Sequence, residues 1–339
     1  MMAEDNVLKS PKQSAKFIVE HASDVKINND GITKCVDEIV ERVNNGKLSL
    51  DPKLYEESGV HPANCEDKDV EWVFMTSALN FSFWTDEKTP QYLVTFEGKT
   101  QNGYMSMCAA MNRTLKEEIP LTDPEFYGKI TEEDLNKYFM GDNDIPCPMI
   151  KERVECLHQI SKVLKEKYDG KFTKCLKKCD KSAMKLLSMV TEDFPCFYDG
   201  AEYNGKKVAI HKRAQILVAD LWQLFEGKGL CDFPDINEIT MFADYRVPQS
   251  LQYFGAFVYS KELLEFLQTD DLLSNGDARE VEIRGCSIEA VERIVAKVNE
   301  RLDRKVNAIQ IDNFLWNFRR EKAQEMLKYP YHRVRSIYY

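Results

Sequence analysis

A chain of 339 residues, 43% apolar and 30% charged, has room for one large or two ordinary domains and is neither disordered nor fibrous in composition. It holds no run of about 18 apolar residues, which excludes a membrane-spanning helix, and its net charge of −10 argues against a surface that grips long nucleic acid through many phosphates. Ten cysteines without framework spacing, and a polar Met1–Lys16 stretch lacking an apolar signal segment, make free thiols and a cytoplasmic location the expectation.

Ser14–Ala22 reads as a short helix and Gly31–Val43 as another, from Ile32, Cys35, Val36, Ile39, Val40 and Val43 at three-to-four spacing. Asp69–Trp84 is dense in large apolar residues, and its closing run Asn80-Phe81-Ser82-Phe83-Trp84 puts rings on every face, so some point outwards or into a cavity. Tyr92–Gly98 is a predicted strand, with Gln101–Tyr104 as the turn into a helix over Tyr104–Leu115. Thr131–Phe139 and Met149–Tyr168 are amphipathic helices separated by the turn-rich Gly141–Pro148. One domain over residues 1–339 is expected, with two helical lobes meeting near residues 141–148. A charged helix is predicted over Cys175–Met189, and Tyr203-Asn204-Gly205-Lys206 is a turn between short extended pieces.

Ile210, Ala214, Leu217, Leu221 and Leu224 then mark one buried helix face, with Lys212 near its start and off the stripe. Gly227-Lys228-Gly229 ends that helix. Further helices are predicted over Lys261–Leu267, Ser287–Leu302 and Ala308–Lys328, and the aromatic, basic end Tyr331–Tyr339 is expected to be docked rather than frayed. The fold class is mainly α with one or two small β-hairpins.

Between these elements, Met241-Phe242-Ala243-Asp244-Tyr245-Arg246-Val247-Pro248-Gln249 places a carboxylate between aromatic rings. Pro248 suits the first turn of a new helix, so Asp244 either caps that helix and pairs with Arg246 or is held ionised beside a reaction centre. Two basic clusters, Lys206–Arg213 and Arg319–Arg335, are solvated faces or hold one small anion. Cys175, Cys179, Cys196 and His211 lack zinc spacing, so no metal is expected. No phosphate-binding loop, dinucleotide fingerprint or nucleophile elbow appears, and no cofactor is expected.

Several longer words carry a resemblance: Ser14–Ile18, Val73-Phe74 with Leu79–Trp84, Gly103-Tyr104 with Cys108–Arg113, Lys212–Asp220, Ile239–Gln249, Glu280–Ser287 and His332–Tyr339. Over almost its whole length the chain resembles the queuosine salvage proteins, the queuosine 5′-phosphate N-glycosylase/hydrolase family. The resemblance implies an N-glycosidase that releases the base queuine from queuosine 5′-monophosphate for tRNA modification. It also implies a helical core like that of helix-hairpin-helix DNA glycosylases. Asp244–Gly255 is similar to the glycosylase pattern of an aspartate, apolar helix positions and a glycine, and Gly227-Lys228-Gly229 loosely echoes the hairpin.

Cleavage of an N-glycosidic bond builds positive charge at C1′, which a carboxylate stabilises while orienting the attacking water. Asp244 takes that role by residue type and family match. Lys212 is assigned to the phosphate or the reaction centre; direct hydrolysis is preferred to an imine through Lys212, because a mononucleotide needs no strand scission. The guanine-like edge of queuine calls for an acidic acceptor, for which Asp312 is the candidate, the alternative being an ordinary surface aspartate. Phe81, Trp84, Phe242 and Trp316 either stack on the base or pack in the core. Tyr245 flanks Asp244, His61 is a candidate contact to base or ribose, and Arg246, His332 and Arg333 are candidate phosphate partners. Two other functions compete: a glycosylase acting on a DNA or RNA polymer, and a non-catalytic queuine-binding carrier. No stable nucleic-acid or membrane partner is expected.

Overall fold

The computed structural model describes residues 6–50, 59–62, 64–85 and 89–339, which form a mainly helical structure with three small sheets. In chain order come β1 (Val7–Leu8), α1 (Pro11–His21), β2 (Val25–Ile27), α2 (Asn29–Asn44), α3 (Asp67–Ala78), β3 (Leu93–Phe96), β4 (Lys99–Asn102), α4 (Tyr104–Lys116), α5 (Pro124–Tyr127), α6 (Glu132–Tyr138), α7 (Ile150–Lys167), α8 (Phe172–Lys178) and α9 (Ala183–Asp193). They are followed by β5 (Gly200–Tyr203), β6 (Lys206–Ala209), α10 (Lys212–Leu224), α11 (Val247–Tyr253), β7 (Phe257–Tyr259), α12 (Lys261–Leu267), α13 (Ala278–Arg301), α14 (Ala308–Glu321) and α15 (Ala323–Met326). The chain divides into two compact units: Met1–Asp51, Asp199–Gln215 and Asn237–Arg335 make the first, and Pro52–Tyr198, Ile216–Ile236 and Ser336–Tyr339 the second.

The first unit is built on α13, against which α1, α2, α11, α14 and β2 pack. Its core takes Ile18 from α1, Ile32, Val36 and Ile39 from α2, Ile283, Val291 and Ile294 from α13, and Ile311 and Leu315 from α14. Helix α1 can approach α13 closely because position 285 is glycine: a Cβ there would stand 2.5 Å from Ile18 Cδ1. Helix α13 starts at Ala278, capped by Asp277, well ahead of the expected Ser287. The early half was silent to periodicity because Glu280, Glu282 and Arg284, each at most 2% exposed, carry charge into the core where apolar residues are counted. Strand β6 pairs in parallel with β1 and in antiparallel fashion with β5, and β2 pairs with β7. Asn204 and Gly205 close the β5–β6 hairpin with φ of 46° and 77°, the handedness a two-residue loop needs. The expected helix over Ala308–Lys328 breaks at Lys322, leaving α14 and the single turn α15.

The second unit has an aromatic centre. Phe74 of α3 stacks on Phe172 at 4.0 Å, with Phe194 and Phe197 against it. Arg153 of α7 is fully buried and donates to the carbonyls of Leu79, Phe81 and Pro148, which fixes the irregular segment after α3. Ser82 in that segment, at φ 48°, donates to the Ser336 carbonyl at 2.9 Å, and its N–H bonds the Tyr339 carbonyl at 3.1 Å, so the last residues are docked as expected. Gly141–Pro148 lies inside this unit, where the Asp142 N–H bonds the Leu93 carbonyl of β3 at 2.9 Å.

Two local expectations are corrected here. Gln101 and Asn102 belong to β4, and the turn is Glu97-Gly98, whose positive φ angles of 49° and 78° reverse the chain earlier than the glycine at 103 suggested. The charged helix over Cys175–Met189 is two helices. Asp180 and Lys181 both adopt left-handed φ, 52° and 60°, and Ser182 then caps α9, with the Asp235 carboxylate accepting from the N–H groups of Ala183 and Met184. Among the described residues, no helix is long and apolar enough to cross a membrane.

Candidate active site

Residues 240–246 run into α11 without regular structure, and their conformation is set by first-unit side chains on three helices. Gln215 on α10 accepts from the Thr240 N–H at 2.8 Å and its hydroxyl at 3.0 Å. Asp312 on α14 accepts from the Phe242 N–H at 2.9 Å. Arg284 on α13 donates from Nε to the Ala243 carbonyl at 3.0 Å. The next residue is Asp244. Its Oδ1 accepts from the N–H groups of Arg246 and Val247 at 2.8 and 2.9 Å, so it caps α11, with Pro248 in the first turn. Half-buried, it keeps Oδ2 outside both of these bonds.

Arg284 also grips Asp199 through both guanidinium ends, at 2.9 and 2.6 Å, and Glu280 at 3.1 Å, in a cluster of three buried charges. Asp199 in turn accepts the backbone N–H of Lys212 at 2.9 Å. One buried ion pair thus fixes the backbone on both sides of the site, beside Asp244 and at Lys212. Lys212 is only 6% exposed, which excludes the solvated-lysine reading. Burial pushes its ammonium down to about 8; the Asp244 and Asp312 carboxylates oppose that shift, while Arg213 and Arg284 add to it. Asp312, at 4% exposure, is not an ordinary surface aspartate either. Lys212, Asp244, Asp312 and the buried Phe242 therefore share one neighbourhood.

The remaining candidates are distributed around and beyond it. Arg246 donates to Gln249 Oε1 at 3.2 Å, and its guanidinium lies 4.4 Å from the Tyr331 ring and 5.1 Å from that of Tyr245. Trp316 is half-buried, packed on the core with the Arg320 guanidinium 4.8 Å from its ring. His332 is 1% exposed and held down to about 3 by burial and then by Arg284, so it offers a neutral imidazole and not the cation a phosphate partner supplies. Arg333 bridges to Asp270 at 2.7 Å, which balances its charge with a carboxylate. In the second unit, Phe81 and Trp84 are 1% and 2% exposed, with the Arg153 guanidinium 4.3 Å from the Phe81 ring. His61 there lies 3.3 Å from the Tyr104 hydroxyl, and burial lowers its pKa to about 4.

Sequence reasoning passed over Asp199, Arg284 and Gln215 as site residues. Arg284 and Gln215 sat inside the matched words Glu280–Ser287 and Lys212–Asp220, a signal that was available; Asp199 had none.

A family model described as queuosine salvage protein matches residues 60–339. The chain belongs to the queuosine salvage protein family. Curated relatives share its length: a Bos taurus protein is 42% identical, covering 98% of this chain and 99% of its own, and one from Mus musculus is 40% identical over 97% and 98%. A Schizosaccharomyces pombe relative is 36% identical over 96% and 99%. All three are named queuosine 5′-phosphate N-glycosylase/hydrolase.

Proposed function

We propose that this member of the queuosine salvage family hydrolyses the N-glycosidic bond of queuosine 5′-monophosphate and releases queuine. The observation that supports it best is the meeting of half-buried Asp244 with buried Lys212 and Asp312, two carboxylates and a lysine held by backbone bonds on either side. In this reading the C1′–N bond breaks with its electron pair leaving on the base, which takes up a proton. A water oxygen bonds C1′, and its proton passes to Asp244. Asp244 faces the sugar cation and stabilises it through a low-dielectric medium, where a fixed charge is worth far more than in water. Asp312 accepts from the guanine-like edge, Phe242 covers the flat base, and cationic Lys212 offsets the two carboxylates. Water is the only co-reactant, and no cofactor is invoked.

The test is product analysis by mass spectrometry after incubation with queuosine 5′-monophosphate. Free queuine and ribose 5-phosphate are expected. Asp244→Asn retains a capping oxygen, so it is expected to fold normally while losing about 10²–10³-fold in kcat, the scale of one electrostatic stabiliser. An Asn variant with full turnover removes Asp244 from the chemistry. Tight nucleotide binding with no released base marks a carrier instead.

A further inference from the structure

The structure assigns an anion site one ribose away from Asp244: the guanidinium groups of Arg246 and Arg319, bridged by the neutral amide of Gln249, form a clamp for the 5′-phosphate of the substrate. This inference rests on the nucleotide reading above and adds a residue to it, since the sequence offered Arg319 only as part of a basic C-terminal cluster.

Arg246 Nη1 and Arg319 Nε both donate to Gln249 Oε1, at 3.2 and 3.3 Å. Gln249 cannot be turned the other way, because its amide nitrogen donates to the Tyr329 carbonyl at 2.6 Å and reaches that of Met326 at 3.4 Å. A single uncharged oxygen therefore serves two cations. Among the described residues neither arginine forms an ion pair with a carboxylate. The rings of Tyr245 and Tyr331, 5.6 Å apart, wall the place, and Arg246 lies against both. Burial, followed by the charge of Arg246, holds Arg319 down to about 10, with Tyr245, Tyr331 and the Asp244 carboxylate opposing the shift.

Two guanidinium groups brought together in a half-buried place are unfavourable unless an anion joins them. A dianionic phosphate supplies two charges and several acceptor oxygens in the geometry that arginine forks match. Its position fits the rest of the site. Asp312, Trp316 and Arg319 fall at i, i+4 and i+7 on α14, one face of the helix spanning about 10 Å. That face then carries the base acceptor at one end and the phosphate cation at the other, comparable with the reach of a nucleoside monophosphate from base edge to phosphorus. Arg246, two residues beyond Asp244, comes to the same phosphate from α11's side.

The experiment titrates inorganic phosphate against the wild type, Arg319→Met and Arg319→Lys while following Tm, and measures KM and kcat with queuosine 5′-monophosphate. Phosphate is expected to raise Tm of the wild type with a Kd at least tenfold weaker for Arg319→Met, Arg319→Lys falling between. KM is expected to rise by a similar factor, with kcat changing less. Ligand-free Arg319→Met is expected to melt no lower than wild type, because the like-charge contact is gone. A Met variant that keeps both the phosphate-dependent Tm rise and the wild-type KM overturns the clamp. Failure of the wild type to release base is a different result, which sinks the glycosidase reading and leaves the phosphate titration to decide this one.

Discussion

At the scale of single residues, Lys212 is the position where structure and chemistry disagree most usefully. An amine pushed down to about 8 is part free base near neutrality, and a free amine is what an imine mechanism needs. The two mechanisms then predict opposite limbs. If cationic Lys212 offsets Asp244 and Asp312 in a direct hydrolysis, kcat/KM falls as pH rises through about 8; if the neutral amine attacks C1′, it rises there. We expect the falling limb, and no covalent adduct when borohydride is added during turnover. The same shift has a stability consequence. The folded chain binds fewer protons than the unfolded chain between about 8 and the unfolded lysine value near 10.4, so Lys212 costs stability at neutral pH, roughly 3 kcal/mol, and that cost is relieved as pH rises through the window. Lys212→Met is accordingly expected to be inactive yet to melt at or above the wild-type temperature at pH 7, as read by calorimetry.

At the scale of elements, α13 shows why part of this fold was readable and part was not. Helices whose buried face is apolar, such as α2 with Ile32, Val36 and Ile39, announce themselves by spacing. The first turns of α13 bury Glu280, Glu282 and Arg284 instead, and buried charge carries no periodic signature. The same residues hold the site in place, so the element hardest to read is the one that positions the chemistry. Removing Arg284 leaves Asp199 and Glu280 buried without their cation, which costs about 3–5 kcal/mol. Arg284→Met is expected to lower the unfolding free energy obtained from urea titration by that much at pH 7. A Met variant as stable as the wild type at pH 7 would mean that the three charges are no cluster at all. The breaks at Asp180-Lys181 and at Lys322 were lost for another reason: a left-handed or frayed residue between two good helix segments looks, in sequence, like more helix.

For the molecule as a whole, the division into units explains which site residues sequence could group. Asp244, Lys212, Phe242 and Asp312 come from distant stretches but belong to one unit; long matched words tied the first three together, Asp312 came only from the chemistry of the base edge, and no spacing rule connects position 212 to 312. His61, Phe81 and Trp84 belong to the second unit, and aromatic content alone could not separate a stacking ring from the core ring that Phe81, lying under Arg153, is in its own unit. Net charge was more informative than any single ring. At −10 overall, acidic groups outnumber the cations, which disfavours the net attraction to phosphates that a polymer substrate demands. A protein that neutralises 6–10 phosphates loses about 10³–10⁵ in affinity between 50 and 200 mM salt, whereas one clamped phosphate changes affinity by only about fourfold over that range. KM for queuosine 5′-monophosphate, measured across the same salt interval, is therefore expected to rise by less than about tenfold, with kcat unchanged. A slope several times steeper would identify contacts to a strand of phosphates and return the polymer-acting glycosylase to first place.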